Sequence, residues 1–523
     1  MTTYQQRINA FKNRHGIGRR QMKPVFKRGY EAAAHNRLTA DLSSLATRTA
    51  DSEIQYDIVS LRNRARHLAR ESDYVARFLN ALTNNVLKDD VGFSLQMKAM
   101  RAPTFEMPDK IANAKIEEAW REWCKKSNCT VTGEDSFFDV TRLAVRQVPT
   151  DGGILFRKIV DPSVNKFGFA LQLMEVDMID VNKTEAQQSP GGNRIVMGVE
   201  KNAYGRVVAY HILDRHPGDV LFSGQRGRWG TTRYEAKEFI HYFVRERVTQ
   251  CVGVPWIAPS MLRLQHLKEY ELAELVAARE AAVKGGYFTS DRGDSYTGED
   301  ELTVTSDGTT QNTGTLNDFE TGQKDVLPPG MTFTPYDPQH PMQQYGDFVK
   351  NALFGISAGL NISYATLTGD LSMANYSSMR AGKIEEQEGY KKIQCHMIQH
   401  LCMDIFEEWL RTSLLNGAIN LPISKFEIFN KPKFTGRRWP WVDPEKDIRA
   451  ALMEIDGGLS TRTKWTEESG EDFEEICRVQ ADEKAIAAEY NLTFAGANGK
   501  TEEKQTVEDE PKDKEETADE KDS

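Results

Sequence analysis

The alternation of apolar and polar positions divides the chain into helical stretches around a β-rich middle. In "SLRNRARHLARESDYVARFLNALTNNVL", Leu61, Leu68, Val75, Leu79, Leu82 and Val86 recur near helical spacing. This predicts two helices, with Ser72 and Asp73 as a cap between them and the arginines facing solvent. From "GILFRKIVD" through "FALQLMEVDMIDV" and "GRVVAYHIL" to "EFIHYFVRERV", short β-rich runs are separated by Gly, Pro and Asn, the pattern of an antiparallel sheet within one domain. A strong helix follows in "PSMLRLQHLKEYELAELVAAREAAVKGG": Pro259 and Ser260 suit its first turn, Leu, Ala and Glu fill it, and Gly285 with Gly286 ends it.

From Tyr287 to Pro341 the composition turns to Gly, Thr, Asp, Ser and Pro, as in an inserted small domain. "YGDFVKNALFGISAGL" resumes a helical pattern, and "LTGDLSMANYSSMRAG", Leu367 to Gly382, interrupts it. A long helix is then predicted from about Ser378 to Asn416, with Tyr390, Ile393, Met397, Leu401, Ile405 and Trp409 as its apolar stripe and Gly417 as its C-cap. Gly382 and Gly389 near its start are poor helix formers that invite a bend. The fold class read from this order is α+β.

At 523 residues the chain has room for roughly three domains. No apolar run approaches the length of a membrane span, and the N-terminus lacks the apolar core of a signal peptide, so a cytoplasmic origin and no membrane are expected. Six widely spaced cysteines read as reduced, buried thiols. Charge separates the two ends. The first fifty residues hold ten Lys and Arg against two acids, whereas the last stretch, from Thr501, is strongly acidic and too poor in apolar residues to fold. The basic arm is either solvated or docked on a neighbouring subunit or on nucleic acid.

Motifs of catalysis do not survive their context. "GISAG", with Ser357 in the nucleophile position, lacks the preceding strand that a nucleophile elbow needs. "GANGKT", Gly496 to Thr501, lacks the first glycine of a P-loop, where Phe494 stands, and runs into the acidic tail. Cys395, His396, His400 and Cys402 form the only dense set of metal-ligand types, but on an ideal helix the cysteines share a face that the histidines do not. No catalytic residue, metal or cofactor is therefore assigned.

Several ordered blocks carry a family likeness: "LRNRARHLARESDYVARFLNALTNNVL", "DGGILFRK", "LQLMEVDMI", "GVEKNAYGRVVAYHI", "GVPWIAPSMLRLQHLKEYELAELVAARE", "GLNISYATLTGDLSMANYSSMRAGKIEE" and "WPWVDPEKDIRAALMEIDGGLSTRTKWTEESGEDFEEI". Through them the chain resembles tailed-bacteriophage portal proteins of the lambda type. The resemblance implies a non-enzymatic ring, usually of about twelve subunits, at one capsid vertex, through which double-stranded DNA enters and leaves. It implies a basic arm (1–55), a wing (56–256), a first stem helix (257–286), a clip (287–341), a second stem helix (342–360), a tunnel loop (361–380), a long wing helix and return segment (381–442), a crown (443–491) and an acidic tail (492–523). Its implied partners are the terminase large subunit, a head-completion or adaptor protein and the major capsid protein, in the virion and, during assembly, in the host cytoplasm.

A conduit must not grip what passes through it. A tunnel rich in Lys and Arg would bind duplex tightly and stop it sliding. The loop is nearly uncharged, so Thr368, Asp370, Ser372, Asn375, Tyr376, Ser377 and Ser378 are expected to face DNA with weak, replaceable contacts, and Arg380 and Lys383 to touch phosphate or else form salt bridges with Glu385, Glu386 or a neighbour's Asp370. Gly382 and Gly389 are the expected hinge. Arg437, Arg438, Trp439 and Trp441 are read as a packed domain junction in preference to a base-stacking surface. The competing reading is a nucleic-acid-processing enzyme with a mobile active-site loop.

Overall fold

In a computed structural model, the residues described are 6–7, 47–89, 91–102, 105–186, 192–219, 230–283, 286–290, 302–304, 310–312, 331–335, 345–372, 375–439, 444–468 and 473–490. Most of the basic arm, the whole acidic tail with "GANGKT", and Trp441 lie outside them. Helix and sheet are mixed, as expected. The helices used below are α1 (Ile58–Glu71), α2 (Asp73–Val86), α3 (Lys110–Trp123), α4 (Phe137–Asp151), α5 (Met261–Val283), α6 (Tyr345–Leu360), α7 (Tyr364–Thr368), α8 (Tyr376–Met397), α9 (Met403–Leu415), α10 (Pro444–Asp456), α11 (Arg462–Glu468) and α12 (Phe473–Glu489).

Every strand ladder among the described residues is antiparallel, but the middle region makes two sheets instead of one. Ile154–Val160 pairs with Phe169–Met174 on one side and Phe239–Tyr242 on the other. Arg194–Val196, Val199–Lys201, Val207–Leu213 and Thr231–Glu235 form a separate four-stranded meander. The three-stranded sheet sends Ile154, Phe156, Phe169 and Leu171 into the main core and Leu155 and Phe239 into a second core, which the meander lines with Val196, Val199, Tyr210 and Ile212. Between the two long helices, Gly286–Ser290 pairs with Met331–Pro335, and Leu302–Val304 with Thr310–Asn312.

The main core is aromatic. Trp120 lies with its ring 4.9 Å from both Trp123 and Trp409, and Phe137, Phe406 and Phe434 complete the cluster. The buried Trp123 indole donates to the Phe169 carbonyl at 2.9 Å, so the one polar atom of this large side chain is satisfied. α9 brings Trp409 here because the long helix does carry the expected stripe: Tyr390, Met397, Leu401, Ile405 and Trp409 are buried and Ile393 is packed against them. Gly417, left-handed at φ 71°, follows its last turn.

Arg62 overturns the expectation of solvent-facing arginines in α1, since its side chain is only 1% exposed. Its Nη1 lies 3.0 Å from Asp177 and its Nε donates to the Asp151 carbonyl at 2.9 Å. One turn on, Arg66 reaches Asp151 at 2.7 Å and Asp177 at 2.5 Å. The i, i+4 spacing that suits an apolar stripe here carries two guanidinium groups into a carboxylate pocket. Burial works against the Asp177 charge, yet the two arginines hold its carboxyl below the usual range; for Asp151 burial prevails and pushes it up.

Candidate functional site

Between α6 and α8 the chain is a braced turn and not an open loop. Ser363 caps α7, accepting from the Thr366 N–H at 3.1 Å, and Gly369 closes it in the left-handed region at φ 78°. Thr368 Oγ1 donates to the Tyr364 carbonyl at 2.8 Å and accepts from the Asp370 N–H at 3.1 Å. Asp370 in turn accepts from the Ser372 N–H at 2.9 Å and from the Tyr364 hydroxyl at 3.3 Å. The hydrogen bonds from Ser372 hold the Asp370 carboxyl below its ordinary range, which keeps it ionised.

The long helix begins earlier than its sequence implies. Asn375 and Ser378 form a reciprocal capping box, with the Ser378 N–H donating to Asn375 Oδ1 at 2.7 Å and the Asn375 N–H to Ser378 Oγ at 3.1 Å. Tyr376 and Ser377, ahead of the expected start at about Ser378, are therefore helical. The polar residues that read as a break act as a cap.

Of the residues expected to face DNA, Ser372, Asn375, Ser377, Ser378 and Lys383 are exposed on this turn, and Thr368 and Asp370 are half-buried within it. Arg380 is half-buried and engaged within the chain. The side chain of Tyr376 lies outside the described set. α8 runs without a break through Gly382 and Gly389, and a Cβ at either would meet no atom within 4 Å. The helix departs from α geometry further on, in a π turn over Ile398–Cys402.

That π turn corrects the reading of the cysteines. Its extra residue rotates the following segment, so Cys402 is buried while Cys395 is exposed and the two do not share a face; Cys477 is exposed too. The His396 and His400 rings lie 4.4 Å apart, tilted by 43°, and His396 Nδ1 lies 3.0 Å from the Tyr242 hydroxyl. A set the sequence did not bring together, Glu175, Asp177 and His216, has ligand atoms within 4.8 Å of one another. The Arg66 guanidinium already bridges both carboxylates, at 3.3 Å and 2.5 Å, so a cation is built into that position.

Ser357 is no nucleophile. It sits inside α6, 6% exposed, and its hydroxyl donates to the Phe354 carbonyl at 2.9 Å. The flanking glycines explain the motif differently: a Cβ at Gly359 would stand 2.2 Å from Ser260 Oγ, and one at Gly355 would stand against the Arg263 guanidinium. Glycines four apart let α6 lie close to the start of α5. Trp439 packs as a junction residue, its indole donating to Asn85 Oδ1 at 2.9 Å with Tyr390 6.2 Å away. Arg437 bonds the Asn84 carbonyl and pairs with Asp89 at 3.6 Å.

Sequence reasoning missed Ser363, Thr366 and Arg77, and named Glu386 only as a salt-bridge partner. Ser363 and Thr366 both donate to Glu386 Oε2, at 2.9 and 2.8 Å, Tyr390 donates to Oε1 at 2.6 Å, and Arg77 of α2 donates to the Thr366 carbonyl at 3.1 Å. The available signal was the i, i+4 spacing of Glu386 and Tyr390 on one helix face.

Residues 35–394 match the family model described as phage portal protein, lambda family. A probable portal protein of Halomonas phage phiHAP-1 is 32% identical over 437 residues, which cover 83% of this chain and 82% of that protein. Portal protein B of Escherichia phage lambda is 21% identical over 445 residues, 80% of this chain and 82% of its own. Among solved structures, a chain from the neck of an empty GTA particle aligns over 83% of this chain and 98% of that one, at 12% identity and a TM-score of 0.42.

Proposed function

The chain belongs to the lambda family of phage portal proteins, and on that premise we propose that it assembles into a ring around a DNA channel, with residues 361–383 on the channel wall. The observation that carries the ring is an uncovered apolar surface on α5 and α6. Leu272 is 58% exposed, Leu275 67%, Phe348 54% and Phe354 45%, and Leu262 and Val276 extend the surface. Monomeric proteins rarely leave such a surface open, and neighbouring copies of the same helices would cover it. α10 and α12 add exposed Leu452, Met453, Val479 and Ile486.

In this reading α5 and α6 are the stem, residues 287–341 the clip, α1–α4 with the two sheets the wing, and α10–α12 the crown. The wall segment suits a passing duplex because, Lys383 apart, its exposed polar groups are mostly hydroxyls and amides. Asp370, held ionised, repels phosphate and keeps the remaining contacts weak. The ring would number about twelve subunits and sit at a capsid vertex in the virion. There it would meet the major capsid protein, the terminase large subunit during packaging and an adaptor protein afterwards. The enzyme alternative loses its named nucleophile in the buried Ser357.

The test is assembly. Purified chain should image as a ring with a central hole, and Leu272→Glu with Leu275→Glu should leave folded single subunits. A stable wild-type monomer, or rings unaffected by both charges, would defeat the reading.

A further inference from the structure

Glu386 takes three hydroxyl donors, from Ser363 and Thr366 on Oε2 and from Tyr390 on Oε1. Two of these come from the proposed wall segment itself and one from Glu386's own helix one turn later. Charged acceptors make stronger hydrogen bonds than neutral ones, and the Ser363 and Thr366 hydroxyls can swing away without leaving a buried charge, since Glu386 is only half-buried. Such a contact is firm when made and releasable without unfolding.

The far side of the contact leads elsewhere. Tyr390 is buried, and its ring faces Trp439, whose indole is fixed to Asn85 of α2. Gln394, one turn further along α8, donates to the carbonyls of Val86 at 2.9 Å and Arg437 at 3.0 Å. In sequence, Arg437 and Trp439 directly precede α10. On the near side, Arg77 of α2 holds the Thr366 carbonyl. A single carboxylate thus joins the turn at 363–372 to the place where the chain leaves the wing for α10.

We propose that Glu386 is the positioning residue for the wall segment: a latch that fixes residues 363–372 against α8 and ties their position to the Tyr390–Trp439 junction. The proposal rests on the reading of 361–383 as DNA-facing only for its consequence, not for its geometry. With the latch closed, Asp370, Ser372 and Ser377 stand at one fixed setting. With it open, the turn moves as a unit between its flanking helices while α8 keeps its own hydrogen bonds.

The experiment is hydrogen exchange by mass spectrometry on assembled rings of full-length chain. Glu386→Gln keeps the shape but turns one acceptor into a donor facing hydroxyls. The amides of 364–372 should exchange roughly 10-fold faster or more, the loss expected for bonds to a charged group. The strand Ile154–Val160 and the melting temperature should not change. Ser363→Ala combined with Thr366→Val removes the donors, leaves Glu386 in place, and should give the same local acceleration. Unchanged exchange at 364–372 in both variants overturns the latch, and so does acceleration spread equally to Ile154–Val160. Photo-crosslinking of DNA from position 377 in the same variants tests the other reading separately. Faster exchange with a shifted crosslink yield supports both, and faster exchange in rings that never crosslink upholds the latch while removing the DNA-facing assignment.

Discussion

The aromatic core around Trp120 and the turn at 361–375 are built from opposite materials. In the core, indole and phenyl rings 4.9 to 6.3 Å apart fill space, and the buried Arg62 is paired with Asp177. In the turn, short polar side chains bond to near neighbours and to Glu386 and Arg77, and among the described residues Ile362 and Leu367 are buried. The core resists change because any vacancy loses many contacts at once. The turn holds its shape through bonds that water can replace one at a time. On the proposed reading, a ring that stays rigid while its channel wall yields has reason to use both.

The sharpest break in this comparison would come from Trp123→Ala, which should lower subunit stability by about 4 kcal/mol in denaturant unfolding through cavity and transfer losses. Next, Asp177→Asn strands the Arg62 charge, and should lower stability by about 3 kcal/mol. Removing Arg62 as well, as the Leu variant, should recover part of that loss. A smaller effect belongs to Glu200, which is buried under Arg233 at 2.7 Å. The Arg233 hydrogen bond holds its carboxyl down at about 2. A depressed carboxyl contributes stability above its unfolded value of roughly 4.3, and that contribution disappears as pH falls toward 2. Glu200→Gln should therefore lower stability by about 2 kcal/mol at neutral pH, a figure reduced for solvent screening of the half-exposed Arg233, and make no difference near the acid end of the titration.

On the other side of the comparison, deleting Leu371 and Ser372 should change subunit stability by less than about 1 kcal/mol, because a slightly shorter loop alters closure entropy little. Rings should still form, and DNA packaging or retention should fall. If stability falls as far as in the core variants, the turn is a structural element and the contrast is lost. The smallest effect is expected for Ser357→Ala, about 0.5 kcal/mol, with packaging unchanged, since one hydrogen bond inside a helix is removed and no chemistry with it.

The helices and the stripe on α8–α9 were legible because apolar periodicity reports directly on burial. The stripe also carried an unread sign. Its members from Ile393 to Trp409 step by four, which drifts around an α-helix, and the π turn at Ile398–Cys402 absorbs part of that drift. α8 starts at Tyr376, two residues ahead of the expected Ser378, since Asn375 and Ser378 favour caps and loops equally in sequence. Arg62 and Arg66 were placed in solvent because their partners, Asp151 and Asp177, lie far along the chain, and periodicity carries no information about which charges meet. The Glu386 contacts were hidden for the same reason. "GISAG" was set aside on context alone, and only the approach of α5 showed what its glycines do.

The central claim is that residues 361–383 face DNA inside a ring. A photo-crosslinking residue at position 377, in assembled DNA-filled particles, tests it most directly. Adducts with the packaged duplex, spread over sequence without preference, are the predicted result. Filled particles that give no adduct at 377 while probes at other channel positions do would contradict it.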